Sequence, residues 1–157
     1  MSRPIAERFW QHVDKINNSR CWVWIGSKTR TGYGHFKVRG KLVATHRLAY
    51  ELLVGPIPAG MNIDHVCNHR DCVNPEHLRV CTPAENAKNR AIGIDNTSGL
   101  KGASWHSRDK KWTANIHTNG KQKFLGYFET KESAHAAYCE AATRLYGEFA
   151  NFGKVVL

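Results

Sequence analysis

Between Ile63 and Asn89 the chain reads IDHVCNHRDCVNPEHLRVCTPAENAKN, and no other stretch limits the possible fold as tightly. Cys67, Cys72 and His77 form a C-x4-C-x4-H array, and Cys81 follows closely. Thiolates and an imidazole at this spacing suit a tetrahedral zinc, which binds Cys and His at about 2.0–2.3 Å. Asp64 and Asn86 bring different chemistry, since their hard oxygen atoms suit magnesium or calcium. His65, set between that acid and the first thiolate, is available as a general base. Thr82-Pro83-Ala84-Glu85 predicts a helix start, with a capping threonine, proline at the first position and glutamate three residues on. Asn86 then falls at the end of the first helical turn. Ile63 and Val66 flank the Asp-His pair, and Leu78 and Val80 follow His77. The spacing predicts two short strands, a metal-rich loop and a helix, too small a unit for a core without a metal staple.

The run DHVCNHRDCVNPEHL followed by TPAENAKN resembles the ββα-metal nucleases of the HNH class, and most of all the His-Cys box homing endonucleases. The resemblance implies that His65 activates water and that Asn86, nine residues past the zinc histidine, holds magnesium. Related HNH homing nucleases place an aspartate directly before the base as a second magnesium ligand, a position Asp64 fills. It also implies that the fourth zinc ligand comes from a cysteine far upstream, and Cys21 in RCWVWIG matches. Cys81, four residues past His77, is the competing fourth ligand. The likeness covers about residues 20–90. The second zinc cluster of the His-Cys box enzymes has no counterpart here, so their dimer architecture does not carry over, and monomer and homodimer both stay open.

Composition agrees with a nucleic-acid partner. The chain of 157 residues carries a formal net charge of +10, which favours polyanion binding. The excess is spread along it: residues 1–95 hold 14 Lys/Arg against 8 Asp/Glu, and the remainder 9 against 5. The start MSRPIAERFWQH is charged, and no apolar run approaches the roughly 18 residues of a membrane span. The expected location is therefore the cytoplasm, with no membrane partner. Five cysteines, an odd number, point to metal ligation rather than a disulfide framework.

Taken in order, Pro4 to Ile16 predicts an amphipathic helix with Ile5, Phe9, Val13 and Ile16 on one face, broken at Asn17-Asn18-Ser19. Cys21 to Ile25 predicts a strand, and residues 26–32 a flexible basic turn that includes Arg30. Tyr33–Val38 and Lys41–Ala44 predict a hairpin closed at Arg39-Gly40. Its Lys37, Arg39 and Lys41 make it a candidate DNA-groove ribbon. Thr45 is the expected cap of a helix over HRLAYELLVG, with Leu48, Leu52 and Leu53 in the core. Arg47 is assigned either to a phosphate or to an ion pair with Glu51. Asn74 is expected to orient the His65 ring, and His69 and His106 to be solvated or near a phosphate, without a catalytic role.

Residues 91–99 lack periodicity and read as a linker. Beyond them, Ala103–Ser107, Trp112–His117 and Lys123–Phe128 predict three strands, with Asn119-Gly120 a strong hairpin signal. Thr130 opens an alanine-rich helix whose buried stripe is Ala134, Ala137, Tyr138, Ala141 and Leu145. The stretch GLKGASWHSRDKKWTANIHTNGKQKFLGYFETKESAHAAYCEAATRLYGEFANF is similar to the plant APETALA2/ERF DNA-binding domain. That likeness implies an open sheet face in the major groove, with Trp105, Arg108, Lys111, Trp112, Lys121 and Lys123 as DNA-contacting candidates. These strands are poorer in arginine than those of the plant factors, and lysine discriminates bases less sharply. Trp112 is assigned equally to the core.

The expected fold class is α+β: a zinc-stapled ββα-metal nuclease domain over residues 1–92, a linker at 93–99, and over 100–153 a three-stranded antiparallel sheet packed on one helix. The expected activity is homing-type endonuclease cleavage of double-stranded DNA. His65 is the base, one Mg2+ or Mn2+ is held by Asp64 and Asn86, and a structural Zn2+ by Cys67, Cys72, His77 and Cys21. The setting implied is a phage-infected cell or the host of a mobile element. The rival readings are a non-cleaving zinc-containing DNA regulator and a structure-specific repair or recombination nuclease.

Overall fold

The computed structural model describes residues 3–16, 19–93 and 95–153. The chain is α+β, built of short antiparallel sheets and four helices among the described residues, and it divides into two compact units at Asn86/Ala87.

The first unit starts with α1 (Ile5–Trp10), β1 (Val13–Asp14) and β2 (Val23–Trp24). The helix expected to reach Ile16 stops at Trp10, because residues 13–14 take backbone partners from β2 instead. Ile25 N also donates to His12 O at 2.9 Å. Phe9 is buried as expected, whereas Ile16 is 94% exposed. The break placed at Asn17 and Asn18 lies outside the described residues. Residues 26–32 are less free than a flexible turn, since Lys28 pairs with Asp71 at 2.7 Å and Arg70 Nη1 donates to Thr31 O at 2.9 Å.

β3 (His35–Val38) and β4 (Lys41–Ala44) form the expected hairpin. Arg39 and Gly40 both hold positive φ (46° and 85°), the signature of a tight turn matched to strand twist. α2 (Thr45–Leu53) runs straight on from β4 with Ala44 at its N-cap position, so Thr45 is a helical residue and not the cap. Its amide donates to Gly34 O at 3.0 Å, and its side chain is buried. The face of α2 that enters the core carries Thr45, His46 and Ala49, with Leu48 partly buried; Leu52 and Leu53 point outward, against expectation. The core is aromatic at its centre. Phe9 stacks on Trp24 with centroids 5.1 Å apart, and Phe36 meets both edge-on at 5.6 and 5.8 Å. Such pairs add about 0.5–1.5 kcal/mol each beyond area burial. Ala49, Ile63, Val73 and Leu78 close around them.

β5 (Asn62–His65) pairs with β6 (Leu78–Cys81), and a 3-10 turn at Pro75–His77 leads into β6. α3 (Pro83–Lys88) follows, and its capping box forms as predicted: Glu85 N donates to Thr82 Oγ1 at 3.2 Å while Thr82 N donates to Glu85 Oε2 at 2.8 Å.

The second unit holds β7 (Ala103–His106), β8 (Lys111–Thr118), β9 (Lys121–Phe128) and α4 (Lys131–Tyr146). The sheet order is β7-β8-β9, turned at Asn119-Gly120, with a bulge between Ala114 and Asn115. Thr130 caps α4 by accepting from Ser133 N at 3.1 Å. Ala134, Tyr138, Ala141 and Ala142 are buried against the sheet, and Leu145, expected in that stripe, is exposed in favour of Ala142. Within residues 91–99, residue 94 lies outside the described set; Ser98 is buried and donates to Ala103 O at 2.9 Å, and Asn96 Nδ2 donates to Leu100 O at 3.0 Å. Among the described residues no helix is long and apolar enough to cross a membrane.

Gly102 sets the helix-to-sheet distance. Its φ is +79°, and a Cβ there would lie 2.1 Å from the Tyr138 ring. Gly102→Ala must therefore strain the backbone and displace a buried aromatic, a cost of about 2 kcal/mol or more. Chemical denaturation should show the loss; an unchanged transition would rule out this close approach.

Candidate active site

The Cys/His cluster is assembled by backbone pairing. Val73 N donates to Trp22 O and Trp24 N to Asp71 O, both at 2.8 Å, and Val23 bridges to Cys72. Cys21 is thereby carried to Cys72 across a long gap in sequence. Cys67 enters from the turn after β5, where Asn68 takes φ +60° and its amide bonds His65 O at 3.0 Å. Asn74 locks the far side: its Nδ2 donates to Arg20 O at 2.9 Å, and its Oδ1 accepts from Glu76 N at 3.1 Å. It thus holds the neighbours of Cys21 and His77, and these bonds, rather than the expected one to the His65 ring, occupy its amide.

The ligand atoms of Cys21, Cys67, Cys72 and His77 all lie within 4.8 Å of one another, and His77 Nδ1 is 3.5 Å from both Cys21 Sγ and Cys72 Sγ. Metal bonds of about 2.0–2.3 Å at tetrahedral angles give edges of about 3.5–3.8 Å, so the donor set fits a tetrahedral cation. Charge argues the same way. Hydrogen bonding with the Cys72 thiol draws Cys67 down to about 5, while that same partnership and then burial push Cys72 up. Burial, followed by the charge on Cys67, raises Cys21. A cation at its centre would favour ionisation of all three thiols. Cys81 lies apart on β6, buried, with its thiol toward Asn62 O at 3.8 Å.

His65 ends β5 beside this cluster. Its Nε2–H donates to Cys72 O at 3.0 Å, the only sense in which a ring nitrogen can bond a carbonyl. That tautomer puts the basic lone pair on Nδ1. Burial lowers the His65 pKa, so the ring is neutral at neutral pH. Asp64 is buried and stands opposite Arg79 in the β5–β6 register, where Arg79 Nε and Nη2 both donate to Asp64 Oδ2 at 3.0 and 2.8 Å. Asn86 is half-buried in the first turn of α3.

Three neighbours have no counterpart in the sequence analysis. Arg79 is one, visible only once the strand register is known. His46 is another: its ring lies 4.8 Å from that of His65, and its buried Nδ1 has no hydrogen-bond partner. Burial first, then His65 and Arg47, lower its pKa to about 3, so it sits there uncharged. Tyr33 completes the group, 5.6 Å from His46 and 6.0 Å from His65. The only sequence signal for His46 is its place on the buried side of α2, three residues before Ala49.

The remaining candidates are dispersed. Arg30, Lys37, Arg39 and Lys41 are exposed, and Arg47 Nη1 donates to Met61 O at 3.2 Å. In the second unit Trp105 and Trp112 face each other at 5.2 Å on the helix side of the sheet, as their alternation with Ala103 and Ala114 requires. Lys123 and Lys121 lie across from Ile116 and Thr118 on that same side, beyond the core. Lys111 pairs with Glu129 at 3.0 Å, and Arg108 is exposed in the β7–β8 turn. His106 is not simply solvated but lies 3.1 Å from Asp109.

Comparison with known proteins agrees with this geometry. The HNH endonuclease profile matches residues 43–88, which carry His46, Asp64, His65, Cys67, Cys72, His77 and Asn86. Protein 7.7 of Escherichia phage T7 is 41% identical over 68 residues, 43% of this chain and 52% of that protein, so the chain spans about half of its length. An uncharacterized HNH endonuclease of Acanthamoeba polyphaga mimivirus is 28% identical over 127 residues, covering 80% of this chain and 65% of that one. Protein 3.8 of phage T7 is 34% identical over 107 residues, 68% of this chain and 88% of that protein. The chain belongs to the same family as phage T7 protein 3.8 and carries an HNH endonuclease domain across residues 43–88.

Proposed function

We propose that the protein is a homing-type DNA endonuclease that hydrolyses a phosphodiester bond with a histidine base and one divalent ion. The observation that carries this reading is the buried His65 ring, fixed through Nε2–H on Cys72 O at the end of the strand that also carries Asp64. His65 Nδ1 takes a proton from water, and the resulting hydroxide attacks phosphorus in line. Asp64 and Asn86 would supply oxygen donors to Mg2+ or Mn2+, which would offer positive charge to the phosphate and the leaving 3′-oxygen. Arg79 holds Asp64 in place, its Nε and Nη2 both donating to Oδ2. Cys21, Cys67, Cys72 and His77 hold Zn2+, which with four protein ligands staples the ββα unit and adds no chemistry. The unit beyond Asn86, with its APETALA2/ERF-like order of three strands and a helix, would contribute affinity for double-stranded DNA. The relatives from phage and virus support action in the cytoplasm of an infected cell.

The zinc assignment predicts different fates for two buried cysteines. Cys21→Ser should lower zinc content and destabilise the first unit strongly, because structural zinc contributes on the order of 10 kcal/mol in small sites. Cys81→Ser should keep a full equivalent by elemental analysis. Loss of zinc from Cys81→Ser alone would reverse the assignment.

His65→Ala should slow single-turnover cleavage about 10²–10⁴-fold with DNA affinity kept. Asp64→Ala and Asn86→Ala should also be slow, but raised Mg2+ or Mn2+ should restore part of their activity. Equal metal rescue of all three would remove His65 from the role of base.

The pH dependence follows from burial. Because burial favours the neutral ring, the acid limb of cleavage should fall below the ordinary histidine value near 6.5, and the rate should be level through neutrality. A rate still climbing above pH 7 would contradict a base with a lowered pKa.

A further inference from the structure

The face of the β7-β8-β9 sheet turned away from α4 carries two large rings in the open. Phe124 is 51% and Tyr127 48% exposed, and they meet at 5.0 Å, edge to face. His106 extends the row, 5.7 Å from Tyr127. The strand register places all three on the open side: Tyr127 pairs with Thr113 and Phe124 with Asn115, while Ala114 and Ile116 face the core. Asp109 steadies the row, its carboxylate 3.1 Å from His106 Nδ1 and within hydrogen-bond reach of the Tyr127 hydroxyl.

The surroundings are polar and basic. His117 and Gln122 continue the same face. Residues 103–129 hold Arg108, Lys110, Lys111, Lys121 and Lys123 against Asp109 and Glu129, whereas α4 balances its charges with Lys131 and Arg144 against Glu132 and Glu140. Of these cations Arg108 and Lys110 are exposed in the β7–β8 turn at the end of the open face, and Lys111 lies on that face opposite His106. A protein-docking face would bring a wider apolar area with fewer charges at its core. Exposed rings on a basic sheet match bases threaded along a charged track. In duplex DNA each base face is already covered by its neighbours, so rings of this kind have nothing to stack on.

We propose that this open face binds single-stranded DNA, Phe124 and Tyr127 stacking on unpaired bases while Arg108, Lys110 and Lys111 meet the phosphates. The choice of DNA rests on the nuclease reading; the stacking itself does not. It would give the protein a hold on melted or branched DNA beside the duplex it cuts.

The test is fluorescence anisotropy of the full chain with short labelled oligo(dT) and with a duplex of equal length, without added divalent ion so that no cleavage occurs. Phe124→Ala, Phe124→Leu and Tyr127→Ala should each weaken oligo(dT) binding roughly 5- to 100-fold, the value of one stacked base. Duplex affinity should change by less than about twofold, and Tyr127→Phe should bind as the unaltered protein does. Phe124→Leu keeps apolar bulk without a π-face, which separates stacking from loss of packing. Unchanged oligo(dT) affinity in the alanine variants, or equal losses on both DNAs, would overturn the proposal. Failure to cut any DNA would refute the nuclease reading and leave this binding result standing.

Discussion

Three sulfurs and an imidazole lie within 4.8 Å of one another in the first unit. They come from the segment before β2, the loop after β5 and the turn before β6. The backbone bonds from Val73 to Trp22 and from Trp24 to Asp71 bring the groups close. They cannot by themselves keep three buried thiols at that distance, because burial and mutual repulsion both oppose ionisation. A cation at their centre would resolve that conflict; the aromatic cluster of Phe9, Trp24 and Phe36 forms the neighbouring core.

The same cluster sets the geometry of the chemistry. Cys72 contributes its sulfur to the cluster and its carbonyl to His65 Nε2, so one residue connects the staple to the base. The bond to the carbonyl puts the proton on Nε2. Arg79 plays the matching part for Asp64 from across the strand pair. The rings of His46 and Tyr33 lie 4.8 and 6.0 Å from that of His65, and burial keeps His46 neutral. His65 is thus placed by the end of β5 and its bond to Cys72, and Asp64 by its register opposite Arg79.

The second unit solves its packing with small residues. Ala103, Ala114 and Ala134 let α4 lie close to the sheet, and Gly102 clears the ring of Tyr138. That close fit uses up one sheet face, so the large side chains that remain must go outward. Phe124 and Tyr127 do so on the face that Lys111 shares, with Arg108 and Lys110 in the turn at its end.

Local signals carried much of this protein in its sequence. The capping box at Thr82–Glu85, the turns at Arg39-Gly40 and Asn119-Gly120, and the alanine periodicity of α4 depend on neighbours a few residues away, and each forms where the pattern puts it. The C-x4-C-x4-H spacing likewise implies one cation, since three ligands so close in sequence can hardly serve two. What spacing leaves undecided is anything that rests on register or on a distant partner. The end of α1 at Trp10 depends on β2, the choice of Cys21 over Cys81 at the cluster on the pairing of β2 with residues 71–73, and the partner of Asp64 on its place opposite Arg79. Helix periodicity could not separate Leu52 and Leu53 from Ala49, because the buried side of α2 is selected by what it packs against. His46 entered the site for that reason alone. Which face of the second sheet stays open was likewise decided by α4, whose packing puts Trp105 and Trp112 on its own side and leaves Phe124 and Tyr127 to solvent.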